Sequence, residues 1–100
     1  MGGIFENCVQ EYVFDVDSLK TNAVYGISNL SRVTVGQSCT TIEKNALYHA
    51  TIDTLWISKD IAYIGNQNVT VGHFFYQGSE ADWNRVVNKS KLEPDEYGIP

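Results

Sequence analysis

Basic residues are scarce in this chain of 100 residues, with seven Lys and Arg against twelve Asp and Glu for a formal charge of −5. The seven are scattered, so no basic stripe exists to neutralise a phosphate backbone, and nucleic acid is not an expected partner. Long apolar runs are missing as well. Nothing approaches the roughly 20 apolar residues of a helical membrane span, and Met1-Gly2-Gly3 leads into patterned sequence without the charged and apolar regions of a secretory signal. Glu6 stands where a myristoylation start requires Ser or Thr. Only two cysteines are present. Cys8 and Cys39 fall at non-equivalent places in the pattern described below, so buried free thiols are expected rather than a disulfide. His49 and His73 are equally ill-placed for a zinc site, and no metal or cofactor is expected.

Catalytic signatures are absent too. There is no G-x-S-x-G, no H-E-x-x-H, no glycine-rich phosphate loop opening a helix, and no Cys/His pair at one place in the pattern. His73 with Asp82 or Glu80 is the one acid-base pair that can be proposed, and a lone surface histidine explains His73 as well. The chain is therefore expected to be non-enzymatic. Carboxylates are dispersed except for Glu93, Asp95 and Glu96, which fit a solvated tail better than a mimic of nucleic acid.

What is present is a repeat, centred on residues 45–66, NALYHATIDTLWISKDIAYIGN. Its apolar residues, Ala46, Ile52, Leu55, Ile57, Ile61 and Ile64, follow neither a helical nor a plain alternating period. The same series recurs upstream at Ala23, Leu30, Val33, Val35, Cys39 and Ile42, and before that at Ile4, Val9, Tyr12, Phe14, Val16 and Leu19. Each unit holds an apolar triplet: Val9/Tyr12/Phe14, Leu30/Val33/Val35, Ile52/Leu55/Ile57 and Val71/Phe74/Tyr76. Middle residues are spaced by 21, 22 and 19 positions, within the range of leucine-rich repeats. The last two members of each triplet alternate as a half-buried strand does. About 20 residues cannot bury an apolar face alone, so the units must stack, with their strands forming a parallel ladder. A solenoid is predicted.

Local words support a resemblance. Ile4-Phe5-Glu6-Asn7-Cys8, Ala23-Val24-Tyr25-Gly26-Ile27 and Ala46-Leu47-Tyr48-His49-Ala50 resemble the A-F-x-x-C segment of BspA-like leucine-rich repeats. Ile57-Ser58-Lys59-Asp60-Ile61-Ala62-Tyr63-Ile64-Gly65 is similar to that family's I-P-x-S-V-T-x-I-G, without its proline. Tyr76-Gln77-Gly78-Ser79-Glu80-Ala81-Asp82-Trp83 is similar to the Y-x-G-[ST]-x-x-[DE]-W that often closes such arrays. Cys39 replaces the usual valine, and residues 67–70 lack the Ala-Phe pair. The resemblance implies a right-handed leucine-rich-repeat-like coil, with a short parallel β-ladder on its concave face and irregular turns or short helices on the convex face.

Residues 1–87 are accordingly read as the solenoid, closed by a C-terminal helical cap over 79–87. Ser79 is a natural N-cap, Glu80 and Asp82 suit the first turn, and Trp83, Val86 and Val87 share one helix face. Residues 88–100, polar and without period, are read as a tail.

Function then falls to a surface. Residues between the inward ones point outward in two columns: Glu11, Arg32, Thr54 and His73, and Val13, Thr34, Trp56 and Phe75. A solvent-facing Trp and Phe on adjacent strands, beside Arg and His, have the composition of an interface hot spot. Arg32, Thr34, Thr54, Trp56, His73 and Phe75 are the candidate partner-binding residues. The alternative is that the aromatic pair supports the ladder.

The expected function is protein binding of the BspA-like kind, which the resemblance associates with surface proteins that attach to host or matrix components. Two other readings remain open: a small phage or virion assembly protein, and a small acidic intracellular inhibitor. Localisation follows the choice, at the cell surface for a piece of a longer exported protein and in a virion or the cytoplasm for a complete product. Self-association through exposed coil ends is possible in either case.

Overall fold

A triplet that is inward at its second and third members and recurs about every 21 residues brings successive strands side by side with their apolar faces aligned. The computed structural model describes residues 10–99; the first corner expected over residues 4–8, and with it Cys8 and Val9, lies outside them. In chain order the elements are β1 (Glu11–Phe14), β2 (Ser18–Leu19), β3 (Leu30–Val35), β4 (Thr41–Ile42), β5 (Thr51–Ile57), β6 (Tyr63–Ile64), β7 (Thr70–Tyr76), a short helix α1 (Glu80–Asn84) and β8 (Glu96–Tyr97). Strands β1, β3, β5, β7 and β8 form one five-stranded sheet, and β2, β4 and β6 form a second sheet of three. Every pairing is parallel. The chain is a β-solenoid of about four turns.

The register is the one the triplets dictate. Val33 lies opposite Leu55 and Leu55 opposite Phe74, while Val35, Ile57 and Tyr76 make the next column. Facing them from the small sheet are Leu19, Ile42 and Ile64, and all nine side chains are buried. Each such side chain stabilises the stack by about 1.5–3 kcal/mol. Two inward expectations fail at the start of the chain. Tyr12 and Val16 remain 38% and 43% exposed, because β1 is an end strand of the described sheet. At the corner between β2 and β3 Ala23 is exposed and Val24 fills the apolar slot instead.

The convex side was expected to hold irregular turns or short helices. In place of such turns the structure has the second parallel sheet, whose strands are two residues each. Beyond β6 the ladder gains one bridge from Tyr63 to Val87. At the corner that follows, an asparagine ladder crosses the turns. The Asn22 N–H donates to the Asn45 carbonyl and the Asn45 N–H to the Asn66 carbonyl, both at 2.9 Å. The Asn88 side-chain amide donates to Asn66 Oδ1 at 3.2 Å. Asn22, Asn45 and Asn88 all have φ near +60°, a region Asn enters more readily than most residues.

Between β5 and β7 the turn is shorter, and Gln67 compensates for the missing Ala-Phe pair. Its Oε1 accepts the Leu47 N–H at 2.9 Å, and its Nε2 donates to the carbonyls of Glu43 at 2.7 Å and Gly65 at 2.8 Å. A side-chain amide thus does what backbone does one turn earlier, where the Val24 N–H donates to the Ala46 carbonyl at 2.8 Å. The tight corner also requires Gly65, since a Cβ there would lie 2.6 Å from the Lys44 backbone nitrogen.

Residues 88–99 do not run free as the polar tail read from the sequence. They make the last turn, and β8 pairs with β7 in the register Phe75 to Glu96 and Tyr76 to Tyr97. Before it, Ser79 caps α1 with a capping box, its hydroxyl accepting the Asp82 N–H while the Asp82 carboxylate accepts the Ser79 N–H. Trp83 packs edge-on to Phe74 with ring centroids 5.2 Å apart and lies 5.1 Å from Tyr76.

Candidate binding face

Because strand residues alternate, the positions next to the buried columns face away from the core, and the parallel register stacks them. Arg32 lies opposite Thr54 and Thr54 opposite His73; Thr34 lies opposite Trp56 and Trp56 opposite Phe75. All six residues singled out by the repeat come together on the outward face of the five-stranded sheet. Five are half-buried and His73 is exposed. Val13 continues the aromatic column on one side, 65% exposed, and Glu96 ends it on the other.

The aromatic centre is continuous. Trp56 and Phe75 have ring centroids 5.3 Å apart, tilted at 54°, and the His73 ring lies nearly parallel to Phe75 at 6.4 Å. The Arg32 guanidinium lies over the Trp56 ring, 4.5 Å from its centroid. That places the cation on the π-face, an attraction of about 0.5–1 kcal/mol at a part-exposed site. Column spacing alone does not reveal this contact, because Arg32 and Trp56 belong to different columns and different strands. Only the long, flexible arginine side chain brings them together.

His73 meets neither Asp82 nor Glu80, the partners weighed from sequence. Its Nδ1 lies 3.7 Å from Asp95 Oδ2, and both side chains are more than half exposed. Asp82 is taken by the Ser79 hydroxyl and N–H and by an ion pair with Arg85. At that distance and exposure the pair of His73 and Asp95 makes a weak surface interaction.

Cys39 is buried and its Sγ donates to the Thr41 carbonyl at 3.2 Å, while burial pushes its thiol pKa up. Such a thiol is a core side chain, not a nucleophile. Among the described residues no three His, Cys, Asp or Glu side chains converge as a metal ligand set. Among the described residues no helix is long and apolar enough to cross a membrane. A cleft of about 370 Å³ opens where the last turn meets β7, lined by Gln67, Val71, Phe74, Leu92 and Asp95 among others, and it shares no lining residue with the aromatic pair.

A second aromatic group, not foreseen from the sequence, stands at the corner before β3 and β5. Tyr25 and Tyr48 have centroids 5.5 Å apart, and Tyr48 lies 4.1 Å from the His49 ring. The equivalence of Tyr25 with Tyr48 in the repeat was the available signal. Comparison of the chain with protein-family models, curated proteins and solved structures finds no match.

Proposed function

We propose that this chain is a non-catalytic protein-binding module of the leucine-rich-repeat type, similar to BspA-like surface proteins, with its partner held on the outward, concave face of the larger sheet and α1 serving as a C-terminal cap. One observation carries the reading: Trp56 and Phe75 form a continuous aromatic patch on neighbouring strands, flanked by Arg32 and His73. Trp and Arg are the residues over-represented among interface hot spots, and a rigid sheet presents them at little ordering cost. The cap reading rests on Trp83, which covers Phe74 and Tyr76 beside the last full turn.

The test begins with a displayed random-peptide library panned against the full chain. Selected binders are then titrated against wild type, Trp56→Ala and Tyr63→Ala, the last altering an exposed residue of the small sheet. Trp56→Ala should leave the melting curve nearly unchanged and weaken binding by about 2 kcal/mol or more, as a hot-spot aromatic does. Binders that ignore Trp56 and respond to Tyr63 would move the function to the opposite face.

A second reading, as a small phage or virion assembly piece, draws on the exposed Tyr12, Val13 and Val16 near the first strand. It requires concentration-dependent self-association by light scattering.

A further inference from the structure

Arg32 differs from the other arginine of the chain. Arg85 is closed by an ion pair with Asp82 on its own helical turn, and Lys20 is paired with Glu43 at 3.3 Å. Among the described residues Arg32 has neither an ion pair nor a side-chain hydrogen bond, although Glu11 is its register neighbour on β1. It is half-buried and held over Trp56. A guanidinium so placed has lost much of its rotamer freedom before any ligand arrives, and its five N–H donors suit a carboxylate bound through two of them. A half-buried arginine with no acceptor among the described residues, beside an apolar patch, is a site with one half of an ion pair in place.

We propose that Arg32, Trp56 and Phe75 recognise an extended acidic peptide segment of the partner, with one Asp or Glu side chain on Arg32 and a nearby apolar side chain on the aromatic pair. The inference rests on the outward face being the binding face. Geometry sets the spacing. Alternate side chains of an extended peptide are about 6.5–7 Å apart, enough to step from Arg32 across one strand spacing of about 4.8 Å to the ring beyond it.

Charge narrows the ligand further. Glu11 stands beside Arg32 at one end of the two columns, and Glu96 stands beside Phe75 at the other. A polyanion such as a nucleic acid would meet these two carboxylates, so the face suits one carboxylate flanked by apolar groups. With a net charge of −5 the chain as a whole repels a highly acidic segment, which favours a peptide carrying a single carboxylate for Arg32.

The probe is a set of capped eight-residue peptides carrying Glu or Asp with Leu or Phe two positions on, each matched to its Gln or Asn isostere. Fluorescence polarisation measures their binding to wild type, Arg32→Gln, Arg32→Lys and Trp56→Ala, all first checked by thermal melts. The acid peptides should bind at least tenfold more tightly than their amide isosteres. Arg32→Gln should abolish that difference without changing amide binding, and Arg32→Lys, which cannot offer the two-pronged contact, should restore only part of it. Equal binding of acid and amide peptides that still depends on Trp56 would overturn the carboxylate assignment and leave the face in place. Peptide binding indifferent to both Arg32 and Trp56 would overturn the face as well, and no binding by any acid peptide would overturn the inference.

Discussion

The Asp95 carboxylate accepts the backbone N–H of Phe74 at 2.8 Å, while the Asp95 N–H donates to the Phe74 carbonyl at 2.7 Å. One residue of the last turn thus closes both backbone groups of the residue it lies beside. Phe74 is 3% exposed, so its N–H needs a protein partner, and β8 is too short to supply one from backbone alone. A side chain takes the place of a missing strand.

Asp95→Ala should therefore cost about 1 kcal/mol, the net value of a typical hydrogen bond, and speed amide exchange at Phe74 more than at Leu55. Asp95→Asn keeps an acceptor and should hold most of the protection. Equal exchange at Phe74 in all three proteins would show that the contact contributes nothing.

Asp95 also explains where the sequence could be read and where it could not. Leu92, Asp95 and Tyr97 stand in the positions of Val71, Phe74 and Tyr76, and Phe75 to Glu96 is again a step of 21 residues. The period continues, but a carboxylate at the inward middle position removes the apolar signal that marks every earlier triplet. The small sheet escaped for a different reason: Ser18-Leu19, Thr41-Ile42 and Tyr63-Ile64 are too short to show alternation. By contrast the six outward residues were legible, because period and parity together place them. Their mutual contacts were not, since Arg32 reaches Trp56 by a choice of rotamer that no spacing encodes.

Gln67 gives the second prediction. Its side chain satisfies the Leu47 N–H and two carbonyls in a corner shortened by deletion. Gln67→Ala should strand the N–H of Leu47, itself 1% exposed, and cost about 1–3 kcal/mol in a denaturant titration. Gln67→Glu keeps the acceptor but turns an anionic oxygen toward the carbonyls of Glu43 and Gly65, so its deficit should shrink as acid protonates that carboxyl. A Gln67→Ala protein as stable as wild type would mean that water replaces the amide without loss.

Acid should weaken the fold through Asp82 and Glu43. The Ser79 backbone N–H, then its hydroxyl, hold the Asp82 carboxyl below its usual pKa, and the Thr21 N–H, helped by Lys20, does the same for Glu43. For a carboxylate whose folded pKa is depressed, the stabilisation is present above the unfolded pKa and is lost as pH falls through the folded value. Melting temperature should thus decline below about pH 4, the ordinary carboxylate range. The gap between wild type and Asp82→Asn should be widest near neutrality and narrow as pH falls below the ordinary carboxylate range through the depressed folded value. Circular-dichroism melts across this range measure it, and a gap that widens in acid would assign Asp82 the opposite sign.

Truncation separates the last turn from α1. Removing residues 88–100 deletes β8, and with it the Asp95 contacts to Phe74 and the Asn88 contacts to Ile64 and Asn66. It retains α1 and Trp83, so the core beneath should remain covered while β7 becomes a bare parallel edge. Removing residues 79–100 takes Trp83 as well and lays open Phe74 and Tyr76, both buried in the intact chain. The shorter deletion should lower the melting temperature with the protein still monomeric at low concentration. The longer one should aggregate or dimerise end to end, because an exposed strand edge is then backed by exposed aromatic rings. Light scattering on both proteins distinguishes the contributions. If the longer deletion remains monomeric and melts with the shorter one, Trp83 shields nothing and the cap role falls to the last turn alone.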